Sequence, residues 1–165
     1  LIIIVMGVAG AGKSTLGKAL AAALGWPFIE GDDFHPAANR EKMARGEALD
    51  DDDRDPWLQR LRGCIAELDG RRASAVIACS ALKERYRRRL ADGLADVRFV
   101  FLSGRGETIA RRLRARSAHF MPPDLLESQL AALEAPAGAI RVPVELDTAQ
   151  QVEGVIGRIR GEASR

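Results

Sequence analysis

The stretch Gly7-Val8-Ala9-Gly10-Ala11-Gly12-Lys13-Ser14-Thr15 follows directly on the apolar run Leu1-Ile2-Ile3-Ile4-Val5-Met6. A continuous apolar run of this length reads as a parallel strand covered on both faces. The Gly-x-x-x-x-Gly-Lys-Ser pattern after it reads as a P-loop, with a helix beginning at the Lys-Ser pair. In such a loop the backbone N–H groups and the positive end of the helix surround a phosphate. Lys13 is then expected to reach the β- and γ-phosphates, and the Ser14 hydroxyl to offer itself to Mg²⁺. Gly7, Val8, Ala9, Gly10, Ala11, Gly12, Lys13, Ser14 and Thr15 together form the expected ATP-binding segment.

Outward from this loop the pattern alternates between strands and helices. Expected strands are Leu1–Met6, Trp26–Glu30, Ser74–Cys79, Val97–Leu102 and Val142–Leu146. Expected helices are Lys13–Leu24, Pro36–Arg45, Pro56 to about Asp69, Leu82–Leu90, Glu107–Arg116, Asp124 to about Glu134 and Gln150–Arg160. The break at Ser117–Pro123 falls between two of these helices. Alternation of this kind predicts an α/β fold with a parallel sheet and helices on both faces. The ligand crevice of such a sheet lies at the carboxyl ends of the strands. The segments collected there are Gly7–Ser14, Gly31-Asp32-Asp33, Ser80–Lys83, Ser103-Gly104 and Asp147-Thr148.

The bulk properties narrow the function. The chain has 165 residues, 47% hydrophobic and 29% charged, which suits one soluble domain covering residues 1–165. Its net charge of +2 is too balanced for nucleic acid to be the main partner. No apolar stretch approaches membrane-spanning length, so no membrane partner is expected. Cys64 and Cys79 lack metal spacing and read as reduced thiols, which fits a cytoplasmic protein. Because the chain opens inside its first strand without Met, further native residues are expected before Leu1.

Several side chains carry candidate chemistry. Asp32, just past the second strand, is placed to accept a proton from a substrate hydroxyl or to hold Mg²⁺ through water. Asp33 and Glu30 compete for the same work, with Glu30 expected to face away from its neighbours. His35 follows within reach of Asp32 and is a candidate substrate contact. Arg54, before Pro56 and Trp57, reads as a cation at a helix start, where an anionic substrate group would suit it. Lys83 brings a cation to the crevice after the third strand. Arg87 lies one turn beyond it on the same side, while Arg85, Arg88 and Arg89 read as a solvated face. Arg112 and Arg116, one turn apart before the break, are expected to close over the phosphates as part of a lid at about 112–124, with Arg116 stabilising transition-state charge.

Read together, the P-loop, Gly31-Asp32-Asp33-Phe34-His35-Pro36 with Asn39 and Lys42-Met43, Leu49–Arg54 with Pro56-Trp57-Leu58, Cys79-Ser80-Ala81-Leu82-Lys83 with Tyr86-Arg87, and His119-Phe120-Met121-Pro122 with Ser128-Gln129 resemble the gluconokinase family. The likeness covers most of the chain in order. It implies a P-loop NTPase fold of the nucleoside-monophosphate-kinase type, a three-layer sandwich around a five-stranded parallel sheet with a lid. It implies ATP and D-gluconate as substrates, 6-phospho-D-gluconate and ADP as products, and Mg²⁺ as cofactor. It carries Asp32 over as base or metal-side carboxylate. His35, Arg54, Lys83 and Arg87 become gluconate contacts, and Arg112 and Arg116 belong to the adenine and lid region. The family often forms homodimers, an expectation that extends to this chain. One departure is Ala118, where the family has Gly before the His-Phe pair. Competing readings are a P-loop kinase for another small hydroxy acid such as shikimate, and a nucleotide-dependent switch that transfers no phosphoryl group.

Overall fold

The computed structural model describes residues 1–94, 96–115 and 123–163. Five strands, β1 (Ile2–Met6), β2 (Phe28–Glu30), β3 (Ala75–Ala78), β4 (Val97–Ser103) and β5 (Ile140–Pro143), form one sheet in the order β2-β3-β1-β4-β5. Every pairing is parallel, with Ile4 opposite Ile77 on one side and Phe99 on the other. The helices are α1 (Lys13–Leu24), α2 (Ala37–Ala44), α3 (Asp51–Gly70), α4 (Glu84–Ala91), α5 (Gly106–Ala115), α6 (Pro123–Ala132) and α7 (Thr148–Ala163). The expected α/β class and the five-stranded parallel sheet are both present.

Strand β1 explains the three layers. Its alternate side chains point to opposite faces. Ile3 and Val5 join Leu16 and Leu20 of α1 and Val155 of α7 on one face. Ile2, Ile4 and Met6 join Trp57, Leu61 and Ile65 of α3 and Leu90 of α4 on the other. None of the five β1 side chains is more than 1% exposed, and each such burial stabilises the fold by about 1.5–3 kcal/mol. The central strand is therefore held from both sides, and the loop leaving it is set on a rigid base.

Helix α3 and strand β5 both begin earlier than the sequence reading expects. Helix α3 starts at Asp51, not Pro56, so Pro56 lies inside it. The cause is a reciprocal cap. Asp53 N–H donates to Asp50 Oδ1 at 2.8 Å, and Asp50 N–H donates to Asp53 Oδ2 at 2.9 Å. Asp51 and Asp52 join Asp53 in the first turn, where the helix dipole favours negative charge. The acidic run is thus a helix N-terminus, and proline's preference for the first helical position is a misleading guide here. Strand β5 likewise covers Ile140–Pro143 where Val142–Leu146 is expected. The buried alternation starts at Ile140 and includes Val142 and Val144, while Leu146 is exposed.

Candidate active site

The P-loop leaves β1 at the centre of the sheet, between β3 and β4. Gly7 has φ 146°, and a Cβ there would stand 3.1 Å from the Leu102 carbonyl oxygen, so the exit from the strand requires glycine. The Gly7 N–H donates to the Ser80 carbonyl at 3.3 Å, tying the loop to the end of β3. Lys13 Nζ donates across its own loop to the Val8 carbonyl at 3.2 Å. Helix α6 fastens the same loop, because Ala9 N–H donates to Gln129 Oε1 at 2.7 Å. Helix α5 approaches through Leu113, whose side chain fills the space a Cβ on Gly10 would need. Arg112 is half-buried on that helix, and Thr15 is exposed on α1.

Glu30 departs from the sequence reading. Its Oε2 accepts from Ser14 Oγ at 2.6 Å, so it faces the P-loop instead of turning away. Period two explains this. Phe28 packs against the core on the α1 face, and Glu30 shares that face two residues on, level with the start of α1. The signal lay in the parity of Phe28.

Asp32 lies in the 3₁₀ turn Gly31–Phe34 that follows β2. This turn presses on the sheet so closely that a Cβ on Gly31 would collide with the Ala78 carbonyl oxygen. Trp57 Nε1 donates to the Gly31 carbonyl at 2.8 Å from below. Next in the chain, His35 is buried and stacks on the Trp57 ring, with centroids 4.4 Å apart and planes 10° from parallel. Burial pushes the His35 pKa down from 6.5 to about 4. The Asp32 charge opposes that shift, and Arg54 and Arg40 add to it. The ring is therefore neutral at physiological pH.

A cleft of about 380 Å³ opens over these groups. Lys13, Asp32, His35, Arg54, Ser80 and Gln129 are among the residues that line it. Arg40, on α2, also lines it, and the sequence reading did not single it out. Arg54 donates to the Asp50 carbonyl at 3.3 Å and leans over the Tyr86 ring, 5.9 Å from its centroid.

Two of the expected substrate cations stand outside this lining. Lys83 Nζ donates to Asp51 Oδ1 at 3.0 Å. Tyr86 and Arg85 also hold Asp51, and these partners, Tyr86 first, keep its carboxyl well below the usual carboxylate range. Arg87 is 4% exposed. Its Nη1 donates to the Ala81 and Leu82 carbonyls, both at 2.9 Å, and its Nη2 donates to Glu84 Oε2 at 2.7 Å. It clamps a turn in which Ala81 has φ 42°, a left-handed conformation that a non-glycine residue adopts at a cost. Arg116, Ala118 and His119-Phe120-Met121-Pro122 lie outside the described residues, as does most of the expected lid at about 112–124.

A P-loop lysine and the Asp32 carboxylate lining one cleft suit phosphoryl transfer to a small molecule. Comparison with known proteins sharpens this. A family model described as an AAA domain matches residues 2–136. The chain is 43% identical to the thermosensitive gluconokinase of Escherichia coli strain K12 over 95% of its length and 84% of the relative's. The chain belongs to the gluconokinase family. The gluconokinase of Gluconobacter oxydans is 42% identical, with 97% of this chain and 92% of that one covered. The crystal structure of a gluconokinase from Sinorhizobium meliloti 1021 superposes with a TM-score of 0.85 at 43% identity, covering 98% of this chain and 93% of the other. As a member of the gluconokinase family, the chain is a P-loop kinase that uses a nucleotide.

Proposed function

We propose that the protein transfers the γ-phosphoryl group of ATP to the 6-hydroxyl of D-gluconate, giving 6-phospho-D-gluconate and ADP. The observation that carries this reading is that Lys13 of the P-loop and the Asp32 carboxylate line one cleft together with Arg54, Arg40 and His35. A phosphate-binding lysine, a carboxylate base and a set of donors for a polyhydroxy acid are thus within one volume.

Each residue has a role in this proposal. The P-loop amides and Lys13 hold the phosphates. Asp32 accepts the proton of the attacking 6-hydroxyl. Arg54 and Arg40 supply positive charge for the sugar carboxylate, and guanidinium suits a planar carboxylate. Arg112 and Arg116 contribute on the nucleotide and lid side. Ser14 and Glu30 offer hard oxygen donors, the ligand type Mg²⁺ prefers. Bound Mg²⁺ would supply charge neutralisation on the phosphoryl oxygens. With Glu30 on the Ser14 side, Asp32 is left for the hydroxyl. Lys83 and Arg87 act behind this surface, by holding Asp51 and the Ala81–Leu82 turn. The proposal includes a cytoplasmic setting, in line with the free thiols of Cys64 and Cys79.

The test is a coupled ADP-release assay with Mg-ATP against D-gluconate, other aldonates, shikimate and nucleoside monophosphates. Turnover with D-gluconate well above the rest is expected. ATP binding without transfer to any acceptor would overturn the proposal in favour of a nucleotide switch.

A further inference from the structure

We propose that Asn39 is a positioning residue that holds His35 in its Nε2–H tautomer, so that the ring meets the sugar acid as an uncharged hydrogen-bond donor. The substrate half of this statement rests on the proposed function; the tautomer does not.

The Asp53 backbone carbonyl accepts from Asn39 Nδ2 at 2.6 Å. A carbonyl oxygen only accepts, so the amide nitrogen must face it and the orientation of the Asn39 side chain is determined. The second hydrogen of the same nitrogen is directed at His35 Nδ1, 3.3 Å away. Nδ1 therefore accepts. A neutral imidazole with an accepting Nδ1 carries its proton on Nε2. Burial keeps the ring neutral against the pull of Asp32, and the Arg54 and Arg40 charges add to the effect.

The surroundings of the ring hold its orientation. Trp57 covers its face. The Trp57 indole is itself pinned by the Gly31 carbonyl. Asn39 is 5% exposed, so water does not readily replace its amide. The carbonyl that orients Asn39 belongs to Asp53, inside the first turn of α3, whose side chain accepts from the Asp50 N–H and is paired with Lys42 at 2.6 Å. The anchor is thus rigid.

The tautomer matters chemically because His35 and Asp32 share the cleft. A charged imidazolium beside Asp32 would lower the basicity of the carboxylate. A neutral Nε2–H donates to a hydroxyl or carboxylate oxygen of the substrate without that penalty. It also rejects an analogue lacking the oxygen, because the buried donor would be left unpaired.

The experiment is NMR correlation of ring protons with ring nitrogens in the intact wild-type protein near neutral pH. The only other histidine is His119, so His35→Gln assigns the signals. Expected is a protonated Nε2 and a bare Nδ1 for His35. A protonated Nδ1, or a doubly protonated ring, would overturn the proposal without any variant having to fold. Asn39→Asp replaces the donor with an acceptor and is expected to move the proton to Nδ1. It should raise the KM for gluconate about tenfold, with the KM for ATP within about twofold. A folded Asn39→Asp protein with a switched ring and unchanged gluconate KM would overturn the positioning role. An Nε2–H ring in a wild-type protein that does not phosphorylate gluconate would sink the substrate assignment and leave the tautomer standing.

Discussion

Ser14 Oγ donates to Glu30 Oε2 at 2.6 Å, joining the hydroxyl at the end of the P-loop to the last residue of β2. In the proposed reaction the pair makes Glu30 both an orienting partner for the Ser14 hydroxyl and a second oxygen for the metal. Groups that orient a ligand in this way typically change affinity or activity by about 10–100-fold when removed. Glu30→Gln is expected to lower kcat by about that factor and to shift the Mg²⁺ titration to higher concentration, with gluconate KM within about twofold. An unchanged Mg²⁺ titration would contradict the assignment.

Gly31 is confined by the backbone of β3. Gly31→Ala would drive a Cβ into the Ala78 carbonyl oxygen, and neither partner is the end of a flexible side chain. A loss of about 1–3 kcal/mol is expected in denaturant unfolding. Because Asp32 is the next residue, kcat should fall as well. A variant with wild-type stability would show that the turn is not pressed against the strand.

Arg87 is predicted to matter for stability before it matters for substrate. Its removal leaves two carbonyls of a strained turn without their donor, and Arg87→Met should cost about 2–4 kcal/mol. Gluconate KM should change little at temperatures where the variant is folded. Preserved stability with a KM raised more than about tenfold would instead make Arg87 a substrate ligand.

The His35 pKa gives a pH dependence with a definite sign. Its value falls from 6.5 unfolded to about 4 folded, so between those values the unfolded chain binds more protons. Stability from this group is complete above about pH 6.5 and is lost as pH falls towards 4, amounting to at most about 3 kcal/mol. Unfolding free energies of wild type and His35→Gln should diverge across this window, with the wild type losing more on acidification. Parallel curves would contradict the neutral buried ring.

The fold was legible because β1 and the P-loop are local signals: an apolar run, then glycines and Lys13-Ser14 at set spacing. That Asp32, His35 and Arg54 come together at one cleft was legible for a related reason, since each lies within a few residues of a strand end or helix start. What escaped the sequence depends on which groups meet across elements. Lys83 and Asp51 are 32 residues apart, and no local pattern states that one neutralises the other. Arg87 reads as a crevice cation one turn beyond Lys83, yet Tyr86, Arg87 and Leu90 form the buried side of α4 and its guanidinium is taken up by the Ala81 and Leu82 carbonyls. The true start of α3 was hidden because Pro56 is a stronger local cue than a cap made by two aspartates.

In the proposed reaction Asp32 activates the 6-hydroxyl of gluconate for attack on the γ-phosphate. The most direct test compares wild type with Asp32→Asn at saturating Mg-ATP and D-gluconate, following ADP release and identifying the phosphorylated carbon by phosphorus NMR. One 6-phospho-D-gluconate per ADP is expected from wild type. In Asp32→Asn kcat is expected to be lower by about 10²–10⁴-fold, with ATP affinity largely retained. Near wild-type turnover by Asp32→Asn, or no phosphorylated gluconate from wild type, would contradict it.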